Sequence, residues 1–239
     1  MSSRRRFFTS LGGAGAAVAG FGLGALVKPT PARPVMPAAP ALVIEGEATP
    51  LEDLMQEHAV LERVLLVYEA ASRRLVAGGE LAPEIVAQAG GIIRRYIEDH
   101  HERDEEQHVF PRLERVGVAV ELIHTLRAQH DAGRRLTGEV IGRSTAAGLR
   151  DPGERAKLVA AMQRFIRMYR PHAARENTVL FPAFRRALSQ LEYERLRDTL
   201  ERSERAAFGG NPFEAVMAEV DTLEHALGID ELAGFTPAE

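Results

Sequence analysis

Between His101 and Pro111 the chain reads HERDEEQHVFP, and between His172 and Pro182 it reads HAARENTVLFP. His, Glu, Phe and Pro agree, and all four are offset by the same 71 residues (172 less 101, 176 less 105, 181 less 110, 182 less 111). Upstream of each stretch lies a further match, Leu54 and His58 against Leu126 and His130, offset by 72. The chain therefore reads as two similar helical hairpins. Residues four apart on an α-helix share a face and differ by about 6 Å along the axis. Each His-x-x-x-Glu accordingly presents an imidazole and a carboxylate in one direction.

Helix punctuation brackets both stretches. Thr49 caps a helix that opens with Pro50 and carries Glu52 three positions after the cap, a capping box. This helix runs to about Ala77, where Gly78-Gly79 stops it, and a second runs from about Pro83 to the neighbourhood of Arg115. Gly117 separates the second from a third, about Ala119 to Ala147, and Asp151-Pro152-Gly153-Glu154 repeats the cap-and-Pro start for a fourth. No stretch alternates apolar with polar residues over several strand lengths, so the fold class is all-α. Long helices joined by short connectors predict an up-down-up-down four-helix bundle, in which facing helices supply cofactor ligands to the core.

The polar residues of the repeat lie on the apolar seams. In the first helix Leu51, Leu54, His58, Leu61, Leu65 and Tyr68 follow the core-facing period, as do Leu122, Leu126, His130, Gly133, Thr137 and Val140 in the third. Ile93, Ile97, His101 and Glu105 trace the ridge of the second helix, and Phe165, Met168, His172 and Glu176 that of the fourth. A single His-x-x-x-Glu is ordinarily a solvated i,i+4 pair. Two in register, with two more histidines at the repeat, bring four imidazoles and two carboxylates into an apolar interior. Unpaired buried carboxylates are very costly, and the simplest compensation is a multivalent cation. The chain has no cysteine, which leaves His and carboxylates as its strong ligands and removes thiolate zinc and cysteine-held iron–sulfur clusters. His100, His108, His124 and His225 lack repeat partners and read as surface or supporting residues, while Glu62 and Glu102 read as rim charges. Tyr169 and Tyr68 stand near enough to offer a hydroxyl, although Tyr68 reads better as core. Pro171, directly before His172, is expected to kink the fourth helix.

In this order, His, His-x-x-x-Glu, His, His-x-x-x-Glu, with Phe-Pro after each pair, the residues resemble the hemerythrin-like cation-binding domain over about residues 50–190. Two further helices, Leu188 to Ala206 and Asn211 to Leu227, are similar to tails in that family and make residues 191–239 a C-terminal helical extension. The resemblance implies two non-haem iron ions held by His58, His101, Glu105, His130, His172 and Glu176, with the carboxylates as bridges. Zinc and manganese are the alternatives that the same donor types accept. Oxygen-carrying hemerythrins place another His four residues after the third-helix ligand; here that position is Arg134, which tells against reversible oxygen carriage. The Arg134 side chain is expected to run out to solvent. Two functions are open on this reading: a redox protein or enzyme acting on a small oxidant (dioxygen, peroxide or nitric oxide), or a non-catalytic store or sensor of iron or oxygen.

The N-terminus reads as an address. Ser3-Arg4-Arg5-Arg6-Phe7-Phe8 precedes an apolar Gly/Ala-rich run from Gly12 to Leu26, and the hexad resembles the twin-arginine export motif. Residues 1–41 are thus expected to be a signal peptide handled by the twin-arginine translocase, cut near Ala39-Pro40-Ala41, with 42–49 a linker and the mature protein periplasmic or otherwise exported. The run is shorter than the roughly 20 apolar residues of a membrane span, so no stable span is expected after cleavage. Of the 30 basic residues, five lie in 1–41 beside no acid, leaving 25 against 34 acids, or −9, in the remainder. An acidic body of that kind repels phosphate backbones, which excludes nucleic acid as a partner.

Overall fold

The computed structural model describes residues 49–237; the expected signal peptide, its cleavage site and linker residues 42–48 lie outside the described residues. Within them all regular secondary structure is helical, with no strand. Helix α1 (Pro50–Val76) opens as its sequence dictates, with Thr49 and Glu52 forming a capping box and Pro50 in the first turn. Helix α2 (residues 83–115) joins α-helical Pro83–Ile92, π-helical Ile93–His101, a short α-turn Glu102–Asp104, π-helical Glu105–Val109 and α-helical Phe110–Arg115. Helix α3 is Val120–Arg143, α4 the short Ala146–Arg150, and α5 (residues 152–186) runs through Pro152–Arg175, a π-turn Glu176–Leu180 and Phe181–Arg186. The accessory helices α6 (Gln190–Phe208) and α7 (Phe213–Leu227) follow, then a 3₁₀ turn Leu232–Phe235.

Helices α1, α2, α3 and α5 close a four-membered ring in which α1 packs on α2 and α5, and α3 on α2 and α5. With short connectors between neighbours this is the expected up-down-up-down bundle. Helix α6 lies against α1 and the π segment of α2, and α7 against α1 and the start of α2, so both accessory helices cover the α1–α2 side. One boundary departs from expectation: α3 ends at Arg143 rather than near Ala147. Ser144 donates its hydroxyl to the Val140 carbonyl at 2.7 Å, and Thr145 caps the separate turn α4 by accepting from Gly148 N at 3.0 Å. Side chains that bond the local backbone in this way compete with helix continuation. Among the described residues no helix is long and apolar enough to cross a membrane.

The two π-turns that precede Pro111 and Pro182 have a local cause. The ring of Pro111 or Pro182 in an unbroken α-helix would strike the carbonyl four residues earlier. Widening the preceding turn removes that clash, and the N–H groups of Phe110 and Phe181 reach back five residues to the carbonyls of Glu105 and Glu176. The interior is divided. One apolar cluster contains Leu51, Leu54, Phe110, Leu126 and Phe181, and the other contains Leu61, Leu65, Ile97, Phe165 and Tyr169. Between them lies the polar layer that includes His58.

Candidate metal centre

All six residues of the repeat are buried, none more than 4% exposed, with Glu105, Glu176 and His130 fully enclosed. The structure brings them together in two overlapping groups. His58, His101, Glu105 and Glu176 form one, and Glu105, His130, His172 and Glu176 the other, the ligand atoms of each lying within 4.8 Å of one another. The two carboxylates belong to both. Glu176 Oε2 stands 3.2 Å from His58 Nε2 and 3.1 Å from His172 Nε2. Glu105 Oε2 stands 3.7 Å from His101 Nε2 and 3.6 Å from His130 Nε2. The sequence repeat is thus a spatial pseudo-twofold.

What fixes the imidazoles is a set of outer side chains that sequence reasoning missed. His101 Nδ1 meets Glu57 Oε2 at 2.7 Å, and His130 Nδ1 meets Glu106 Oε1 at 2.9 Å. His58 Nδ1 meets Asn177 Oδ1 at 2.8 Å, and His172 Nδ1 meets Gln129 Oε1 at 2.9 Å. A carboxylate or amide oxygen only accepts, so each Nδ1 donates, and a neutral imidazole then carries its lone pair on Nε2. All four Nε2 atoms face inward. His58 and His101 approach each other to 2.9 Å through Nε2, and His130 and His172 to 3.2 Å. The signal for these supports was available: Asn177 follows Glu106 by 71 positions and Gln129 follows Glu57 by 72, the same offsets as the ligands. Phe110 and Phe181, from the Phe-Pro pairs, stack on His130 and His58 with ring centroids 5.6 and 5.5 Å apart.

This donor set fits metal ions. Facing lone pairs about 3 Å apart repel unless a cation lies between them, and two imidazole nitrogens bonded to one ion at about 2.1 Å are separated by roughly 3 Å. Neither oxygen of Glu105 or Glu176 has a hydrogen-bond partner. Balanced by protons alone, the layer would need the Glu105 carboxyl pushed well above its ordinary range, first by burial and then by the charge of Glu176. For Glu176 burial acts upward too, but His172 and His58 outweigh it and hold the carboxyl low.

The surroundings correct two expectations. Glu102 is not a rim charge: it is 1% exposed, accepts from the Tyr169 hydroxyl at 2.5 Å and pairs with Arg134 at 3.0 Å. Burial pushes its carboxyl up to about 8 despite those two partners. Arg134 does not run out to solvent, because Glu102 and Glu106, four apart on α2, grip it at 3.0 and 2.8 Å. Glu102, Glu106 and His130 form a third group with cation-binding geometry, and Arg134 is the cation it holds. Glu62, by contrast, is half-exposed and 3.8 Å from Arg170, a rim charge as expected. Tyr68 is a fully buried core residue set edge-on to Phe165. His124 and His225 are exposed and His108 half-buried, whereas His100 is buried against Glu57. Helix α5 passes through Pro171 as α-helix.

An all-α bundle with such a layer is a metal-binding protein of the histidine–carboxylate class. The sequence model of the hemerythrin HHE cation-binding domain matches residues 49–184 and, overlapping, 123–228, and the chain belongs to that family. The second match begins within α3, as a repeated hairpin would lead one to expect. Uncharacterized protein Mb2018 of Mycobacterium bovis and uncharacterized protein Rv1995 of Mycobacterium tuberculosis are each 43% identical over 194 residues, covering 81% of this chain and 76% of the relative. No solved structure matches.

Proposed function

We propose that this chain is an exported di-iron protein that reacts with a small oxidant, dioxygen, peroxide or nitric oxide, rather than carrying oxygen reversibly. His58 and His101 would hold one iron, His130 and His172 the other, with Glu105 and Glu176 shared. The observation that carries the reading is the inward presentation of four Nε2 atoms around two carboxylates with no hydrogen-bond partner. Bound there, two irons supply redox equivalents and, with six side chains between them, leave coordination positions open to a small ligand.

The chain's own residues set the conditions. Glu57, Glu106, Gln129 and Asn177 hold each ring in one tautomer, and Phe110 and Phe181 screen two of the rings from water. Arg134, matched by two carboxylates, is not a free cation for an anionic ligand. It also contributes no ligand atom where a further histidine would, and that missing donor favours reaction over storage of an oxygenated form.

Protein purified in air should contain two irons per chain by metal analysis; zinc alone, or no metal, would defeat the assignment. Reduced protein mixed with air-saturated buffer should oxidise rapidly and consume added hydrogen peroxide. A spectrum that returns to its starting form under vacuum would instead support reversible carriage. For export, replacing Arg4 and Arg5 together with Lys should retain the protein in the cytoplasm, since the paired guanidinium groups are read by a receptor. Unchanged periplasmic recovery of that variant would remove the twin-arginine assignment.

A further inference from the structure

Each carboxylate behind a candidate ligand is itself held by a second basic side chain, and the two differ. Glu106, behind His130, is held by Arg134 at 2.8 Å. Glu57, behind His101, is held by His100, whose Nε2 lies 3.2 Å from Glu57 Oε1 while His101 takes Oε2. Burial pushes the Glu57 carboxyl up, and the hydrogen bonds from His100 and His101 outweigh it and hold it at about 2. His100 has no counterpart in the second hairpin, where its repeat position is Pro171.

His100 is in turn enclosed by the C-terminal extension. It is 4% exposed, with the Phe208 ring of α6 set edge-on at 5.1 Å. Its Nδ1 faces Asp104 Oδ2 at 3.8 Å, and the other oxygen of Asp104 accepts from the Ser203 hydroxyl of α6 at 2.7 Å. A chain of neighbouring side chains therefore runs from α6 to His101: Ser203 bonds Asp104, Asp104 faces His100 electrostatically without a hydrogen bond, and His100 and His101 share Glu57.

We propose that His100 is a positioning residue through which helix α6 orients Glu57, and so His101, making the metal position built on His58 and His101 different from the one built on His130 and His172. The inference rests on the di-iron reading above. His100 touches neither position; it acts by fixing the carboxylate that fixes the ring. Outer partners of this kind orient a ligating histidine and raise its basicity, and their loss commonly costs about 10- to 100-fold in metal affinity. Helix α6, in this account, completes one half of the centre and leaves the other untouched.

The test uses the full chain loaded with iron-57. In His100→Leu one of the two irons should pass to a competing chelator at least about 10-fold faster than in the parent, and one of the two Mössbauer doublets should shift while the other stays. His100→Gln, whose amide can still donate to Glu57, should restore most of the parent behaviour. Ser203→Ala should move the same doublet by less. If both doublets move together, or neither moves, the proposal is overturned and the di-iron reading stands. If the parent chain holds no pair of irons, both fall. Should His100→Leu not fold, His100→Asn, polar but too short to reach Glu57, is read by the same criteria.

Discussion

The two hairpins, residues 50–115 and 120–186, share their inward-facing atoms and differ in what stands behind them. In the first, the residue before the α1 histidine and the residue after the α2 glutamate are acids, Glu57 and Glu106; in the second they are amides, Gln129 and Asn177. Because each support crosses to a neighbouring helix, the acids back His101 and His130, which flank Glu105, and the amides back His58 and His172, which flank Glu176. Each pair of imidazoles proposed to hold one metal ion thus has one member of each kind. Among these four supports the asymmetry lies across the shared carboxylates; the two positions differ one contact further out, where His100 holds Glu57 and Arg134 holds Glu106. The inward donor set is the same in both hairpins, whereas the outer partner alternates between acid and amide, each of which accepts a hydrogen bond from Nδ1.

Removing a ligand should have the largest effect on either hairpin. If metal binding contributes to folding, a strong chelator should lower the melting temperature of the parent protein. His101→Ala and His172→Ala should each abolish most of that difference, and by similar amounts because the inner layer is symmetric. Differential scanning calorimetry with and without chelator measures both. Equal melting of apo and loaded parent protein would show that the layer is held by protons and packing alone.

The inner layer was legible because a 71- or 72-residue repeat placed every member on a core seam. The four supports obey the same offsets, yet Glu against Gln and Glu against Asn hide the match from a search for identical residues. Glu102, Arg134 and His100 were not legible. Their environment depends on which helix lies opposite: Glu102 is closed in by Tyr169 of α5 and Arg134 of α3, and His100 by Phe208 of α6. Glu102 and His100 also have repeat mates of a different kind, Ala173 and Pro171, so the repeat gave no guidance about them.

Changing a support should have a smaller effect than removing a ligand. Glu106→Gln gives the second position an amide behind both histidines and leaves the Arg134 guanidinium with one carboxylate fewer. Iron affinity at that position should fall about 10-fold, within the usual range for outer partners. Asn177→Asp, the reverse exchange, should tighten binding of the iron held by His58 by a smaller factor. Competition titrations against a chelator of known affinity read both changes. Affinities unchanged in both variants would mean that the supports fix ring orientation only, and that their charge is immaterial to the metal.

The smallest expected effect lies at Pro171, where the second hairpin departs from His100 of the first. A proline inside a helix leaves the carbonyl four residues earlier, here that of Arg167, without its usual donor. Yet α5 stays α-helical through this point, Pro171 is exposed, and the His172 ring is set from across the bundle by Gln129. Pro171→Ala restores the donor but also frees the unfolded chain, a loss of about 0.4–1 kcal/mol set against a gain bounded by the roughly 3 kcal/mol that an interior proline costs. The net should be stabilising by about 1 kcal/mol, read as a higher urea midpoint for the metal-free protein. The optical spectrum of the iron-loaded variant should be unchanged. A lower midpoint would show that the proline suits the local backbone better than an unbroken hydrogen-bond ladder. A shifted spectrum would show that Pro171 places His172, and that both residues at this repeat position, one through Glu57 and one through the helix itself, shape the centre.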